Sequence, residues 1–229
     1  MRQLGIILLS MGLAMLTSCS KNIDDDIGPY SPQMEETSAL IAPEGTFEGE
    51  WKLGKYEKTC KGQIQVRGDV IAFDVPADYL FPRLGFVTED RKAMYPEEPL
   101  FAVAPEQLTY FDTQQTMQYT KQGYSDSAIY GILSNTVAKD YDTPADNPPP
   151  SFGLRAGGTV YSVKLVSIKE QPTAVFNSET NLWTIALPID MVAIQNTETL
   201  KLITSAFLDE KAPEKSAWLF VFRATKRIK

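Results

Sequence analysis

Gln63-Ile64-Gln65-Val66-Arg67-Gly68-Asp69-Val70-Ile71-Ala72-Phe73-Asp74-Val75 is the stretch that decides the fold class. Over residues 63–67 polar and apolar side chains alternate with a period of two, the pattern of a strand with one buried face. Gly68-Asp69 is turn chemistry, and residues 70–75 are again rich in β-branched and aromatic side chains. The whole reads as a β-hairpin. Pro76 has no N–H to give to a sheet ladder and stops the second strand. Just upstream, Phe47-Glu48-Gly49-Glu50-Trp51-Lys52-Leu53 alternates in the same way.

Working outward, strand-like runs recur at 108–111, 116–120, 128–133, 159–168, 182–187, 200–208 and 217–226. Helical candidates are short, one turn at 35–41 and one at 190–194, and no internal repeat at a fixed period is visible. About nine to eleven strands with short turns predict an all-β domain, an antiparallel β-sandwich or β-barrel. Two stretches, 82–106 and 139–158, are rich in proline and charge and are expected as long loops. The triple proline at 148–150 favours extended polyproline geometry. Residues 20–46, with Gly28-Pro29, Ser31-Pro32 and Pro43-Glu44-Gly45, have the composition of a flexible tether.

The amino-terminal end explains what a tether would be for. Met1-Arg2-Gln3 precedes an apolar run over 4–16, too short to span a bilayer core as a helix. A basic start, an apolar middle and small residues at the end are the layout of a cleaved secretion signal. Leu16-Thr17-Ser18-Cys19 resembles the lipobox of bacterial lipoproteins. That resemblance implies cleavage before Cys19, a diacylglycerol on its thiol and an acylated amino terminus. Several acyl chains together anchor stably, where one binds only marginally. Lys21 and Asp24-Asp25-Asp26 are similar to the charged export tag of Bacteroidota lipoproteins. The tag implies an outer-membrane address facing the cell exterior, the alternative being the periplasmic face. The expected organisation is a signal peptide over 1–18, a lipidated tether over 19–46 and a β-rich globular domain over 47–229.

Composition excludes several chemistries. The chain of 229 residues has a net charge of −7 and no histidine. The acidic balance argues against nucleic acid and against electrostatic docking on anionic lipid, leaving the acyl chains as the membrane contact. Without imidazole there is no Ser-His-Asp or Cys-His nucleophile and no ordinary catalytic zinc site. No cofactor motif is present. With Cys19 lipidated, Cys60 has no disulfide partner. It is expected to be structural, although Lys58 and Lys61 beside it could lower its thiol pKa.

Four constellations remain. Gly49-Glu50-Trp51 with Arg223 on the last strand is similar to the G-x-W motif and terminal cation of lipocalins and other calycins. That likeness implies a barrel with Trp51 packed under the cation and an apolar cavity around Trp51 and Trp183; otherwise Trp51 is a core residue of a sandwich. Asp140, Asp142, Asp146 and Asn147 offer oxygens to Ca²⁺ but read better as a solvated loop. Tyr30, Tyr56, Tyr110, Tyr119, Tyr124, Tyr130, Tyr141 and Tyr161, with Trp183 and Trp218, either pack strands or present rings to a sugar or protein. A glycan-binding module predicts such rings on loops 82–106 or 139–158. Glu48/Glu50 and Glu97/Glu98 are the carboxylate pairs open to a glycan hydrolase, which needs them across a cleft. The expectation is a non-enzymatic, lipid-anchored module that binds a glycan or an envelope protein. The alternatives are a calycin-like carrier of a small apolar ligand and a carboxylate-based hydrolase.

Overall fold

Period-two patterning becomes sheet almost throughout. The computed structural model describes residues 42–54, 56–135, 149–208 and 218–229. Cys19, Tyr30, the acidic tag, the turn at 35–41, Tyr141 and the loop residues Asp140, Asp142, Asp146 and Asn147 lie outside them. In chain order come β1 (Gly45–Leu53), β2 (Cys60–Arg67), β3 (Val70–Val75), three short helices α1 (Ala77–Arg83), α2 (Glu89–Met94) and α3 (Pro99–Ala102), and β4 (Thr109–Phe111). Then follow β5 (Thr113–Ser125), β6 (Ala128–Asn135), β7 (Ser151–Ala156), β8 (Thr159–Val166), β9 (Thr173–Asn177), β10 (Leu182–Pro188), β11 (Met191–Asn196), β12 (Leu202–Phe207) and β13 (Leu219–Arg227).

Eight of these strands close a barrel. Around the ring run β1, β2, β3, β5, β6, β9, β10 and β13, with β13 hydrogen-bonded back to β1. The pairings are all antiparallel. The ring therefore follows chain order. The other five strands, β4, β7, β8, β11 and β12, form a second antiparallel sheet, again in chain order. Of the sandwich and the barrel open to the sequence, the barrel is the architecture, with a sheet added.

Register shows how the two are joined. Tight turns at Gly68-Asp69, at 126–127 and at 178–181 connect barrel strands at one end. The other end is marked by the pairs Val75↔Thr113, Ile132↔Thr173 and Pro188↔Leu219. From that end the chain leaves three times, after β3, β6 and β10, and the strands of the second sheet all lie in these excursions. The chain enters the barrel at the hairpin end, where Thr46 N donates to Lys229 O at 2.9 Å and Ile228 N to Thr46 O at 2.8 Å.

Two devices fix the junction. Gln115 points inward from β5 and is 6 % exposed. Its amide donates to Ser151 O at 2.9 Å and accepts from Ser151 N at 3.3 Å, so a side chain takes the place of a neighbouring strand for β7. A buried amide satisfied in this way costs little and is specific in direction. Helix α1 begins directly after Pro76, with Asp112 Oδ1 accepting from Ala77 N at 3.0 Å. It closes the barrel end through Tyr79, whose hydroxyl donates to Lys58 O and accepts from Leu53 N at 3.2 Å. Phe81 of α1 packs edge-on against Phe152 of β7, 6.1 Å between ring centres.

Thirteen strands among the described residues exceed the nine to eleven expected. The additional ones are β7, β9 and β11. Stretch 82–106, expected as a loop, holds the end of α1, then α2 and α3. Residues 151–156, placed in a loop between prolines and glycines, are β7. The turn expected as helical at 190–194 is β11, because Val192 and Ile194 alternate into the core while β8 and β12 flank it on both sides. Short runs of this kind have no decisive period of their own, and the partner strands decide.

Gln115→Leu keeps the volume and removes the stitch, leaving Ser151 N–H and C=O without their partner. It should destabilise the chain by about 1–3 kcal/mol in urea unfolding; an unchanged midpoint would show the stitch to be dispensable.

Candidate functional site

The barrel interior is where a carrier would hold its ligand, and rings occupy it. Trp51 is fully buried, stacked on Phe220 at 4.5 Å and tilted against Phe222 at 5.2 Å and Phe73 at 5.3 Å. Trp183 meets Tyr119 edge-on and Phe176 at a tilt, both at 5.4 Å. Rings pack against both tryptophans where the lipocalin likeness implies a cavity. Nor does Arg223 cover Trp51. It lies opposite Glu50 on β1 and is exposed, on the outer side of the wall. The cation over a first-strand ring is Arg227, 5.9 Å from the centre of Phe47.

Two facing glycines make room for this packing. Gly49 and Gly62 are partners across β1 and β2. A Cβ on Gly62 would stand 2.5 Å from the Trp51 indole, and one on Gly49 would stand 2.1 Å from Arg223 O. The β1–β13 register shifts at Glu48/Gly49, so the strands approach closely there.

Along the same strands lies a cleft of about 510 Å³, lined by Glu48, Glu50, Lys61, Gln63, Asp74, Asp112 and Thr225 and reaching Trp51 at the Gly49–Gly62 pair. Glu48 and Glu50, one of the two carboxylate pairs noted in the sequence, thus come together with Asp74 and Asp112. A hydrogen bond from Lys226, 2.7 Å away, holds the Glu48 carboxyl below its ordinary range, and the lysine charge and Gln63 add to this. The direction favours a carboxylate, opposite to what a general acid needs. The other pair does not meet across a cleft. Glu98 accepts from the buried Tyr161 hydroxyl at 2.5 Å, while Glu97 is exposed.

Beyond the cleft the outer wall continues onto β5. Asp74 pairs with Gln114, and from there Gln114, Thr116, Gln118 and Thr120 present exposed side chains at every second position. At 13 residues, β5 is about 40 Å long. It ends in a hairpin whose register shifts between Lys121 and Gly123. Tyr124 is 64 % exposed and Tyr130 49 %.

The remaining tyrosines serve the packing. Tyr56 donates to Arg83 O at 2.5 Å, Tyr110 lies 6.1 Å from Phe81, and Tyr95 stacks on Phe101 at 5.6 Å. Trp218 is half-buried against the core. The exposed tyrosine rings of the described residues therefore sit on the β5–β6 hairpin, not on 82–106. The signal for this was available in Gly123 and Tyr130, but only the pairing register shows that they face each other.

Cys60 is half-buried at the start of β2. Burial first, and then the charge of Asp78, Asp112 and Glu50, push its thiol up to about 11, with Arg83 opposing. The neighbouring lysines do not activate it. Among the described residues no group of three or more His, Cys, Asp or Glu could hold a metal ion, and no helix is long and apolar enough to cross a membrane. No protein-family model, curated protein or solved structure matches this chain.

In a Cys19→Ala chain, Cys60 should react with iodoacetamide at pH 8 about a hundredfold more slowly than a peptide thiol, because the thiolate is that much rarer. The rate should climb until the pH passes about 11. Peptide-like reactivity at pH 8 would show that the thiol is not shielded.

Proposed function

We propose that this protein is a lipid-anchored, non-enzymatic module of the outer-membrane surface that binds a glycan along the outer wall of its barrel. The observation that carries this reading is the continuity of that wall. Gln114, Thr116, Gln118 and Thr120 stand in a row beside the open cleft of Glu50, Lys61, Gln63 and Asp74. Amides, hydroxyls and carboxylates at strand spacing offer both donors and acceptors to a polyhydroxylated chain. The packed interior supports a working surface over a working cavity. The downward-shifted Glu48 supports binding over acid catalysis.

The anchor rests on the lipobox ending in Cys19 and on the Asp24-Asp25-Asp26 tag. Chain entry at the hairpin end leaves the second sheet at the opposite end of the barrel. The expected tether over 19–46, about 28 residues, reaches at most about 100 Å when fully extended.

Two measurements bear on this. Cys19→Ala should move the chain from the membrane fraction to the soluble one without changing its melting temperature; retention in the membrane would sink the anchor assignment. A melting-temperature screen against soluble polysaccharides and fatty acids should show a rise with at least one polysaccharide. Gln114→Ala with Gln118→Ala should abolish that rise. A rise with fatty acids alone would give the function to a carrier instead.

A further inference from the structure

The far end of the polar wall has a feature that core packing does not require. Tyr130 stands on β6 opposite Gly123 of β5, immediately after the register shift that follows Lys121. A Cβ on Gly123 would fall 2.3 Å from the Tyr130 hydroxyl oxygen and 2.5 Å from the ring carbon bearing it. The tyrosine therefore lies across the glycine, seated where a side chain would otherwise stand. A ring held in this way loses little rotational freedom when something settles on it. Yet Tyr130 is 49 % exposed, so the ring is not buried by its seat.

Its surroundings are specific. Thr120, exposed on β5, pairs with Ile132 two residues along β6 from Tyr130. On the other side Tyr130 pairs with Val175 of β9, which pairs in turn with Thr184 of β10. A flat apolar ring thus has Thr120 and the exposed Gln122 at the bulge on its β5 side, and Val175 on its β9 side with Thr184 one strand further on. Bulges of this kind re-aim side chains and are common beside binding sites. Of the charges nearby, the Lys121 ammonium lies 4.8 Å from the centre of Tyr124 and so belongs to the neighbouring ring, Asp126 is exposed in the hairpin turn, and Arg223 pairs with Thr184.

We propose that Tyr130 on Gly123 is the stacking subsite of the wall. It takes the apolar C–H face of a pyranose ring, with Thr120 and Gln122 available to its hydroxyls. This deepens the glycan-binding reading and rests on it. The ring supplies apolar contact without charge, and the row from Thr120 back to Gln114 leads the rest of the chain along β5 towards the cleft.

The test is affinity electrophoresis of the full chain in native gels cast with a panel of neutral and acidic polysaccharides, comparing wild type, Tyr130→Ala and Tyr130→Phe. The expected result is retardation by at least one polysaccharide. Tyr130→Ala should weaken it about tenfold, the loss of one ring–ligand stacking contact. Tyr130→Phe should keep it within about twofold, since the stacking face survives. Far-ultraviolet circular dichroism and melting temperature identify a variant that misfolds. In that case quenching of wild-type tyrosine fluorescence by the same polysaccharide replaces the Ala variant, and no quenching counts against the subsite. Retardation that is equal in wild type and Tyr130→Ala overturns the subsite and leaves glycan binding standing. Retardation lost equally in Phe and Ala variants overturns stacking in favour of a hydroxyl contact. Absence of retardation by every polysaccharide overturns both, and points the exposed tyrosines to a protein partner.

Discussion

Closing eight strands into a ring leaves an interior just wide enough for side chains, and everything else in this molecule follows from how that space is filled. Trp51 is bounded by Phe220, Phe222 and Phe73, and its indole occupies the place where Gly62 has no side chain. Strand β1, which carries it, is hydrogen-bonded on both edges, to β2 and to β13. The first and last strands of the domain are thus neighbours, and the barrel forms only when they meet. Ring closure also removes the exposed edges that an open sheet of this length would present.

Since the hairpins are tight at one end, all three long connections emerge at the other. Their strands pair with each other, in chain order. The second sheet is in this sense a by-product of the barrel's topology. It is made into one core with the barrel by α1, whose Tyr79 plugs the ring while Phe81 packs on the sheet, and by the Gln115–Ser151 exchange. The proposed glycan wall, in turn, needs this rigidity. Side chains spaced along β5 hold their positions only because the strand is paired on β3 and on β6.

A packed interior leaves the outer wall as the surface open to a ligand. In the proposed reading, a barrel whose centre is packed with tryptophan and phenylalanine works on its outside. There the strand alternation sets amides and hydroxyls outward by the same rule that sets rings inward. The cleft over Gly49 and Gly62 belongs to the same logic. Residues chosen for close backbone approach inside the wall leave it lined by the polar side chains of their neighbours outside.

The sequence by itself determined the all-β class, the hairpin at 63–75, the inward turn of Trp51 and the absence of imidazole chemistry. These depend on local alternation, on turn residues and on composition, which a chain carries without regard to its partners. Only the tertiary structure decided that the barrel closes, that residues 191–196 are a strand and that Arg223 faces outward. It alone brought Glu48, Glu50, Asp74 and Asp112 to one cleft and seated Tyr130 on Gly123. Each of these is a matter of register between strands far apart in sequence. A shift of one residue in such a pairing turns every side chain to the other face, so no local pattern can specify it.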